Sequence, residues 1–124
     1  MRHVLIADDE PNIVISLEFL MKREGYRVSV ARDGDAALAL IRAEQPDLVL
    51  LDVMMPGKTG FDVCQAVRAD ETLAAVKILM LSAKGRDTDL AKGSALGADA
   101  YLTKPFSTRE LADKVREMLN EPRP

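Results

Sequence analysis

Four apolar segments of the sequence are each followed by residues that could do chemistry. These residues are Asp8, Asp9, Asp52, Ser82 and Lys104. Three carboxylates placed together repel one another, and each is driven toward its protonated form unless a positive charge lies among them. A divalent cation would supply that charge, and Mg²⁺ fits best because it prefers hard oxygen ligands and no His or Cys lies near these positions. The pattern therefore predicts a magnesium site and disfavours zinc.

The same set of side chains suits phosphoryl transfer. Lys104 would supply a second cation, able to hold a phosphoryl oxygen or to pair with Asp52. Ser82 would offer a hydroxyl donor to another phosphoryl oxygen. A carboxylate beside Mg²⁺, a lysine and a hydroxyl is a suitable nucleophile, because catalysis of phosphoryl transfer consists mostly of positioning and charge neutralisation. The predicted product is an aspartyl phosphate on Asp52.

The elements that must position these residues follow from hydrophobic periodicity. Five segments have the length and composition of strands: Val4–Ala7, Tyr26–Ala31, Leu48–Leu51, Val76–Leu81 and Ala100–Leu102. The stretches between and after them carry apolar residues at helical spacing, so strands and helices alternate five times. Strict alternation implies parallel strands, right-handed crossovers and helices on both faces of one sheet. The predicted fold is a doubly wound α/β sheet.

The character of the strands also predicts their spatial order. Continuous apolar runs are typical of buried central strands, whereas alternating or short segments are typical of edges. The first, third and fourth segments are continuous, and the second and fifth resemble edges, which favours the flavodoxin-like order 2-1-3-4-5. Ligands of such sheets bind at the carboxyl ends of the strands. We therefore expect the candidate residues to face one crevice.

Several residues mark the ends of the predicted helices. Pro11 suits the first turn of a helix, and Gly25 and Gly97 suit helix C-termini. Ser107 and Glu110 have the spacing of a capping box. These signals place the helix boundaries close to the ends of the periodic segments.

The composition limits the classes of protein that need to be considered. A chain of 124 residues with 48% hydrophobic and 30% charged residues is expected to form one soluble domain. The net charge of −3, with scattered Lys and Arg, does not suit a DNA-binding surface. We find no apolar run of membrane-spanning length and no secretion signal, and the lone Cys64 cannot form an internal disulfide. We therefore expect a cytoplasmic protein without direct nucleic-acid or membrane contact.

Four segments of the chain resemble the signature segments of response-regulator receiver domains from bacterial two-component systems. They are VLIADDEP, DLVLLDVMMPGKTG, ILMLSAKG and AYLTKPF, and the resemblance spans essentially the whole chain with the expected intervals. It implies that Asp52 is the phosphorylated residue. It also implies that Asp9 binds Mg²⁺ directly, that Asp8 helps through a water molecule, and that the backbone carbonyl of Met54 is a further metal ligand.

The resemblance assigns further roles around Asp52. It implies that Ser82 hydrogen-bonds to the phosphoryl group and that Ala83 keeps the approach open. It implies that Lys104 completes the site before a cis bond to Pro105. Tyr101 would be the switch aromatic, turning inward when Ser82 is drawn toward the phosphoryl group, which reshapes the surface of the fourth helix, fifth strand and fifth helix.

The resemblance also implies the partners. The phosphoryl donor would be the phosphohistidine of a sensor histidine kinase or a histidine phosphotransfer protein. The output would pass to a downstream protein or effector domain. Members that dimerise for DNA binding often carry two acids before the switch aromatic, whereas here Asp99 is followed by Ala100. This departure weakens the case for that dimer and leaves a weak or phosphorylation-dependent homodimer open.

A second departure concerns the lifetime of the phosphoryl group. Met54 and Lys84 lie two residues after Asp52 and Ser82, at positions that the family varies and that border the path of an attacking water. Neither side chain is a carboxamide or carboxylate suited to orient that water. We therefore predict slower self-dephosphorylation than in members with Asn and Glu at these positions.

Two other functions remain alternatives at this stage. A Mg²⁺-dependent phosphohydrolase with an aspartyl nucleophile would carry an acidic proton donor two residues after Asp52, where this chain has Met54. A phosphorylation-independent interaction module would lack the acids or the lysine, which this chain keeps. We therefore expect that the chain is not an enzyme and that it catalyses only its own phosphorylation and dephosphorylation.

Residues 1–120 are predicted to form the receiver domain, with 121–124 as a tail or the start of a linker. The chain is therefore expected to be either free-standing or a piece of a longer regulator.

Overall fold

The computed structural model describes residues 1–83 and 87–120, and within them strands and helices alternate. The strands are β1 (His3–Ala7), β2 (Arg27–Ala31), β3 (Leu48–Asp52), β4 (Lys77–Ala83) and β5 (Ala100–Lys104). The helices are α1 (Pro11–Arg23), α2 (Gly34–Glu44), α3 (Gly60–Ala69), α4 (Asp87–Leu96) and α5 (Thr108–Met118), with a short 3₁₀ turn at Glu71–Leu73. The prediction of five strand–helix units is confirmed.

The five strands form one parallel sheet in the order β2-β1-β3-β4-β5. Every residue of β1 and β3 is buried, whereas most of β2 and β5 is only partly buried. Central strands are covered by helices on both faces, which is why their sequences are apolar throughout rather than alternating. The predicted order, with the second and fifth strands at the edges, is correct.

Two apolar cores lie on opposite faces of the sheet. Alternate residues of β3 enter different cores, because successive side chains of a strand point to opposite faces. Leu48 and Leu50 pack with α1 and α5, and Val49 and Leu51 pack with α2 and α3. The helices therefore cover both faces, as in the predicted doubly wound fold. No helix in the described part of the chain is both long and apolar enough to cross a membrane.

The ends of the helices follow the local sequence signals. Pro11 is the first residue of α1, and Ser107 with Glu110 forms the expected capping box of α5. A second capping box, formed by Thr59 and Asp62 at the start of α3, was not predicted. Its Ser/Thr-x-x-acid pattern is present in the sequence, so this helix start could have been found.

Three strands extend further at their carboxyl ends than the sequence pattern predicts. β3 includes Asp52, β4 continues to Ala83, and β5 continues to Lys104. Parallel pairing persists beyond the apolar runs: Asp52 pairs with Leu81, Ser82 with Thr103, and Ala83 with Lys104. Hydrophobic periodicity detects only the buried part of a strand, whereas backbone pairing decides where it ends. The candidate residues of these strands are therefore held by sheet hydrogen bonding rather than by a free loop.

Candidate functional site

The candidate residues meet at the carboxyl edge of the sheet. Asp8 directly follows β1, Asp52 ends β3, Ser82 lies near the end of β4, and Lys104 ends β5. Carboxylate oxygens of Asp8, Asp9 and Asp52 all lie within 4.8 Å of one another. Three residues separated by up to 44 positions in the sequence thus form one acidic cluster, because parallel strands present their carboxyl ends on the same side of the sheet.

Most of this cluster is withdrawn from solvent. Asp8 is fully buried, Asp52 is 7% exposed and Ser82 is 2% exposed, whereas Asp9 is exposed. Buried carboxylates are costly unless they are paired or hydrogen-bonded. The backbone N–H of Glu10 donates to Oδ1 of Asp8 at 2.9 Å, and the backbone N–H of Met54 donates to Oδ1 of Asp52 at 3.4 Å. Each of these two backbone hydrogen bonds stabilises one oxygen of a buried carboxylate.

Lys104 supplies the positive charge of the site. Its Nζ atom lies 3.3 Å from Oδ2 of Asp8 and 3.3 Å from Oδ1 of Asp52. Burial disfavours the ammonium, but the carboxylates of Asp52 and Asp8 outweigh that effect and raise the pKa of Lys104 above its ordinary value of 10.5. The lysine therefore stays charged, and its single positive charge offsets only part of the negative charge of the three neighbouring carboxylates.

The electrostatic balance is visible in the pKa of Asp52, which is raised from 3.8 to about 6. Burial is the largest cause, and repulsion from Asp8 is the second. Lys104 and the hydrogen bond from Met54 lower the pKa but do not compensate. At neutral pH Asp52 is therefore mostly ionised, but its ionised form is held at a cost that an additional cation would relieve.

The donor set fits a divalent cation. In the described part of the chain, Asp8, Asp9 and Asp52 are the group of three acidic, His or Cys residues close enough to share an ion. All three offer hard oxygen atoms, and Asp9 is open to solvent. Mg²⁺ is bound in proteins by one or two carboxylates together with water, which matches this combination of buried and exposed groups.

Met54 and Ala83 lie at the rim of the cluster. The side chain of Met54 is 58% exposed, and Ala83 is also exposed. Neither side chain bears a polar group that could orient water beside Asp52. Lys84, the other residue with a predicted effect on phosphoryl lifetime, lies outside the described residues.

Gly60 is a site-forming residue that the sequence reasoning missed. A Cβ atom on Gly60 would lie 2.3 Å from the carbonyl oxygen of Asp52 and 2.9 Å from Cα of Val53. The Gly60 N–H also donates to the Val53 carbonyl at 2.9 Å. The start of α3 therefore rests directly against the backbone that carries Asp52. A glycine next to the helix-capping residue Thr59 was the available signal.

Tyr101 and its neighbours lie on the side of the sheet that carries α4. Tyr101 is half-buried and packs against the core formed with α2 and α3, and its hydroxyl lies close to Gly93 in α4. The peptide bond between Lys104 and Pro105 is cis.

Asp99 is engaged within the chain. Its Oδ2 atom accepts hydrogen bonds from the Arg68 guanidinium at 2.7 Å and from the backbone N–H of Ile78 at 2.8 Å. Arg68 also donates to the carbonyl oxygen of Gly97 at 2.8 Å. The acid before Ala100 therefore ties the start of β5 to α3 and β4.

Comparisons with known proteins agree with this arrangement. A model of the response regulator receiver domain matches residues 4–116. The crystal structure of a response-regulator candidate from Chloroflexus aurantiacus is 35% identical, with a TM-score of 0.92 over 97% of this chain and 98% of that chain. The structure of chemotaxis protein CheY4 of Vibrio cholerae is 33% identical, with a TM-score of 0.89 over 95% of this chain and 98% of that chain.

A third similar structure contains a metal ion. It is the receiver domain of a sensor histidine kinase from Pseudomonas aeruginosa, which is 27% identical and has a TM-score of 0.89 over 97% of this chain and 98% of that chain. A magnesium ion is coordinated in the active-site cleft of that protein.

Proposed function

Because this chain belongs to the response regulator receiver domain family of two-component signalling, we propose that it is a phosphorylation-dependent switch and that Asp52 is its phosphoryl acceptor. The observation that carries the proposal is the position of Lys104, whose ammonium lies 3.3 Å from the carboxylates of both Asp8 and Asp52. This arrangement places a nucleophile, a fixed cation and further acidic groups in one crevice, which are the parts that phosphoryl transfer needs.

The reaction uses the ionised carboxylate of Asp52. One oxygen of Asp52 attacks the phosphorus of a phosphohistidine, a P–O bond forms, and the P–N bond to the donor imidazole breaks with its electron pair returning to that nitrogen. A pKa of about 6 leaves the attacking carboxylate mostly deprotonated at neutral pH. The ammonium of Lys104 then offsets the negative charge of the phosphoryl oxygens, and the hydroxyl of Ser82 donates a hydrogen bond to one of these oxygens.

The acidic residues would hold Mg²⁺. We assign Asp9 as a direct ligand, Asp8 as a ligand through water, and Asp52 and the backbone carbonyl of Met54 as further ligands. When bound, the ion supplies positive charge that offsets the charge on the transferring phosphoryl group. The support for this assignment is the clustering of the three carboxylates within 4.8 Å and the incomplete compensation by Lys104.

The output is a change in the surface formed by α4, β5 and α5. We propose that Ser82 moves toward the phosphoryl group and that Tyr101 responds, because both side chains lie on the strands that border α4. Residues 1–120 form the switching domain in this proposal, and a downstream protein or effector domain binds to its changed surface.

We further propose that the protein acts in the cytoplasm, where sensor kinases present their phosphohistidine.

The phosphohistidine partner is proposed to dock along α1. A cleft of about 550 Å³ runs between α1 and the segment after β5, lined mainly by apolar residues such as Ile13, Leu17 and Phe106, and it reaches Lys104. Ile15 and Phe19 on the same helix are 63% and 68% exposed. Large apolar side chains that are exposed together are typical of interaction surfaces.

A phosphotransfer profile tests the proposal. The purified chain is mixed with candidate kinases and, separately, with a small phosphoramidate donor and Mg²⁺, and hydroxylamine-sensitive phosphorylation is followed by intact mass. We expect one phosphoryl group on the wild type and none on Asp52→Asn. Asp113→Asn, which alters a half-buried aspartate of α5 that pairs with Arg116, is the matched control and should be labelled like the wild type. Labelling of Asp52→Asn at the wild-type rate would contradict the assignment.

A further inference from the structure

The loop at residues 53–59, here called the acceptor loop, joins Asp52 to α3 and carries Met54. Its two ends are fixed by contacts already described, the Gly60 hydrogen bond to Val53 and the capping box of Thr59. Val53 and Met55 are buried, whereas Met54 is exposed. A further close contact with another element lies at Lys58, directly before Thr59.

The part of the acceptor loop next to Thr59 rests on Gly34, the first residue of α2. A Cβ atom on Gly34 would lie 2.0 Å from the carbonyl oxygen of Lys58, and 2.6 Å from Cβ of Lys58. The obstacle is backbone, which cannot turn aside as the end of a flexible side chain can. Only a residue without a side chain allows the loop and the helix to approach so closely.

Side-chain contacts at the same place add little. The Lys58 ammonium lies 3.7 Å from Oδ1 of Asp35, but both side chains are largely exposed, and such pairs contribute little to stability. The Cα atom of Gly57 also faces Asp35, since a Cβ there would lie 3.4 Å from Oδ2. The close approach of the loop to α2 therefore depends mainly on the backbone contact between Gly34 and Lys58.

The start of α2 is a firm support for this contact. The side chain of Asp33 accepts a hydrogen bond from the backbone N–H of Ala36 at 2.7 Å, which caps the helix. Ala37 and Ile41 are fully buried against the sheet. The cap and the buried side chains hold the start of α2 in place. A side chain added at Gly34 would therefore push Lys58 and the loop before it away from the helix.

We propose that Gly34 is a positioning residue for the metal side of the site: its missing side chain sets the depth of the acceptor loop and so the position of the Met54 carbonyl. The inference rests on the proposed function, in which that carbonyl is a metal ligand. Relieving a 2.0 Å contact to an ordinary 3.4 Å requires a shift of more than about 1 Å. Mg²⁺ tolerates little departure from its short, octahedral ligand distances.

The test measures Mg²⁺ affinity and stability in the same variants. Mg²⁺ is titrated into ¹⁵N-labelled protein, amide shifts give Kd, and thermal unfolding is followed in parallel. We expect Gly34→Ala to weaken Mg²⁺ binding about tenfold, on the scale seen when a residue that positions a metal ligand is changed. Ala37→Gly, which destabilises the same helix without touching the loop, and Lys58→Ala, which keeps the loop backbone, should leave Kd within about twofold of wild type.

The outcomes separate this inference from the proposed function. If the wild type shows no Mg²⁺-dependent shifts, the proposed magnesium site itself fails. If the wild type binds Mg²⁺ and Gly34→Ala binds it equally well while losing stability, Gly34 is only a structural residue and the inference is overturned. If Gly34→Ala does not fold, the wild-type titration decides: shifts at the amides of Gly34 and Asp35 support the coupling, and their absence refutes it.

Discussion

The Nζ atom of Lys104 lies 3.3 Å from Oδ1 of Asp52, and yet the pKa of Asp52 is raised to about 6. An ion pair normally lowers the pKa of its acid, so burial and the charge of Asp8 outweigh the lysine here. The acceptor carboxylate is therefore held in a destabilised ionised state in the metal-free protein. Several of the expected properties of this molecule follow from that balance.

Stability without metal should depend on pH through Asp52. The folded-state pKa of about 6 exceeds the ordinary 3.8, so the folded state holds a proton that the unfolded chain has lost. The free energy of unfolding should therefore fall as pH rises from 4 to 6, by up to about 3 kcal/mol. In buffer with a chelator, the stability of Asp52→Asn relative to wild type should grow across this window. Denaturant unfolding at several pH values measures this difference, and a difference that stays constant with pH would contradict the assignment.

Removing the cation should destabilise the fold through the two carboxylates that it joins. We expect Lys104→Met to lower the free energy of unfolding at pH 7 by about 2 kcal/mol, because it leaves Asp8 and Asp52 buried without their counter-charge. In the Asp52→Asn background the same change should cost clearly less. Lys22→Met, which removes an exposed pair with Glu18, is the matched control. Equal losses in both backgrounds would show that Lys104 is not coupled to Asp52.

The lifetime of the phosphoryl group should depend on Met54. Its exposed side chain lies at the rim of the site and cannot orient an attacking water. A carboxamide there could, so Met54→Asn should shorten the half-life several-fold. The half-life is measured after removal of donor, with Ile15→Asn as an exposed control that should not change it. An unchanged or longer lifetime in Met54→Asn would refute the hypothesis.

The position of Tyr101 should depend on Gly93. A Cβ on Gly93 would lie 2.0 Å from the Tyr101 hydroxyl, which is the end of a movable side chain. Gly93→Ala should therefore push the ring outward while the helix gains up to about 1 kcal/mol in propensity. Tyrosine fluorescence quenching by acrylamide should rise, against the background of Tyr26, which is 7% exposed. Quenching equal to that of the wild type would show that the added methyl group is accommodated without movement of the Tyr101 ring.

Docking of the phosphodonor along α1 should depend on Phe19. This side chain is 68% exposed and is not one of the residues that form the acidic cluster, so Phe19→Ser should not disturb the chemistry of Asp52. We expect slower phosphorylation by a kinase or phosphotransfer protein and an unchanged rate from a small phosphoramidate. Loss of both rates would indicate a folding defect, and loss of neither would place the partner elsewhere.

The order of elements, the parallel sheet and the group of residues at its carboxyl edge could all be predicted from the sequence. These features depend on local patterns: apolar runs such as that of β3, alternation with helices, and caps such as Ser107. Once strands are parallel, the residues that follow them must share one edge, so the meeting of Asp8, Asp52 and Lys104 could be foreseen.

The distances between these elements and the ionisation of Asp52 depend on the packed structure and could not be predicted from the sequence. The contact of Gly34 with Lys58 joins residues from different elements and has no local signature, because it depends on where two packed backbones come to lie. The ends of β3 and β4 depend on pairing with neighbouring strands rather than on their own apolar runs. The pKa of Asp52 depends on exclusion of water by the surrounding fold. Periodicity along one chain reports which side of an element is buried, but it does not report distances between elements.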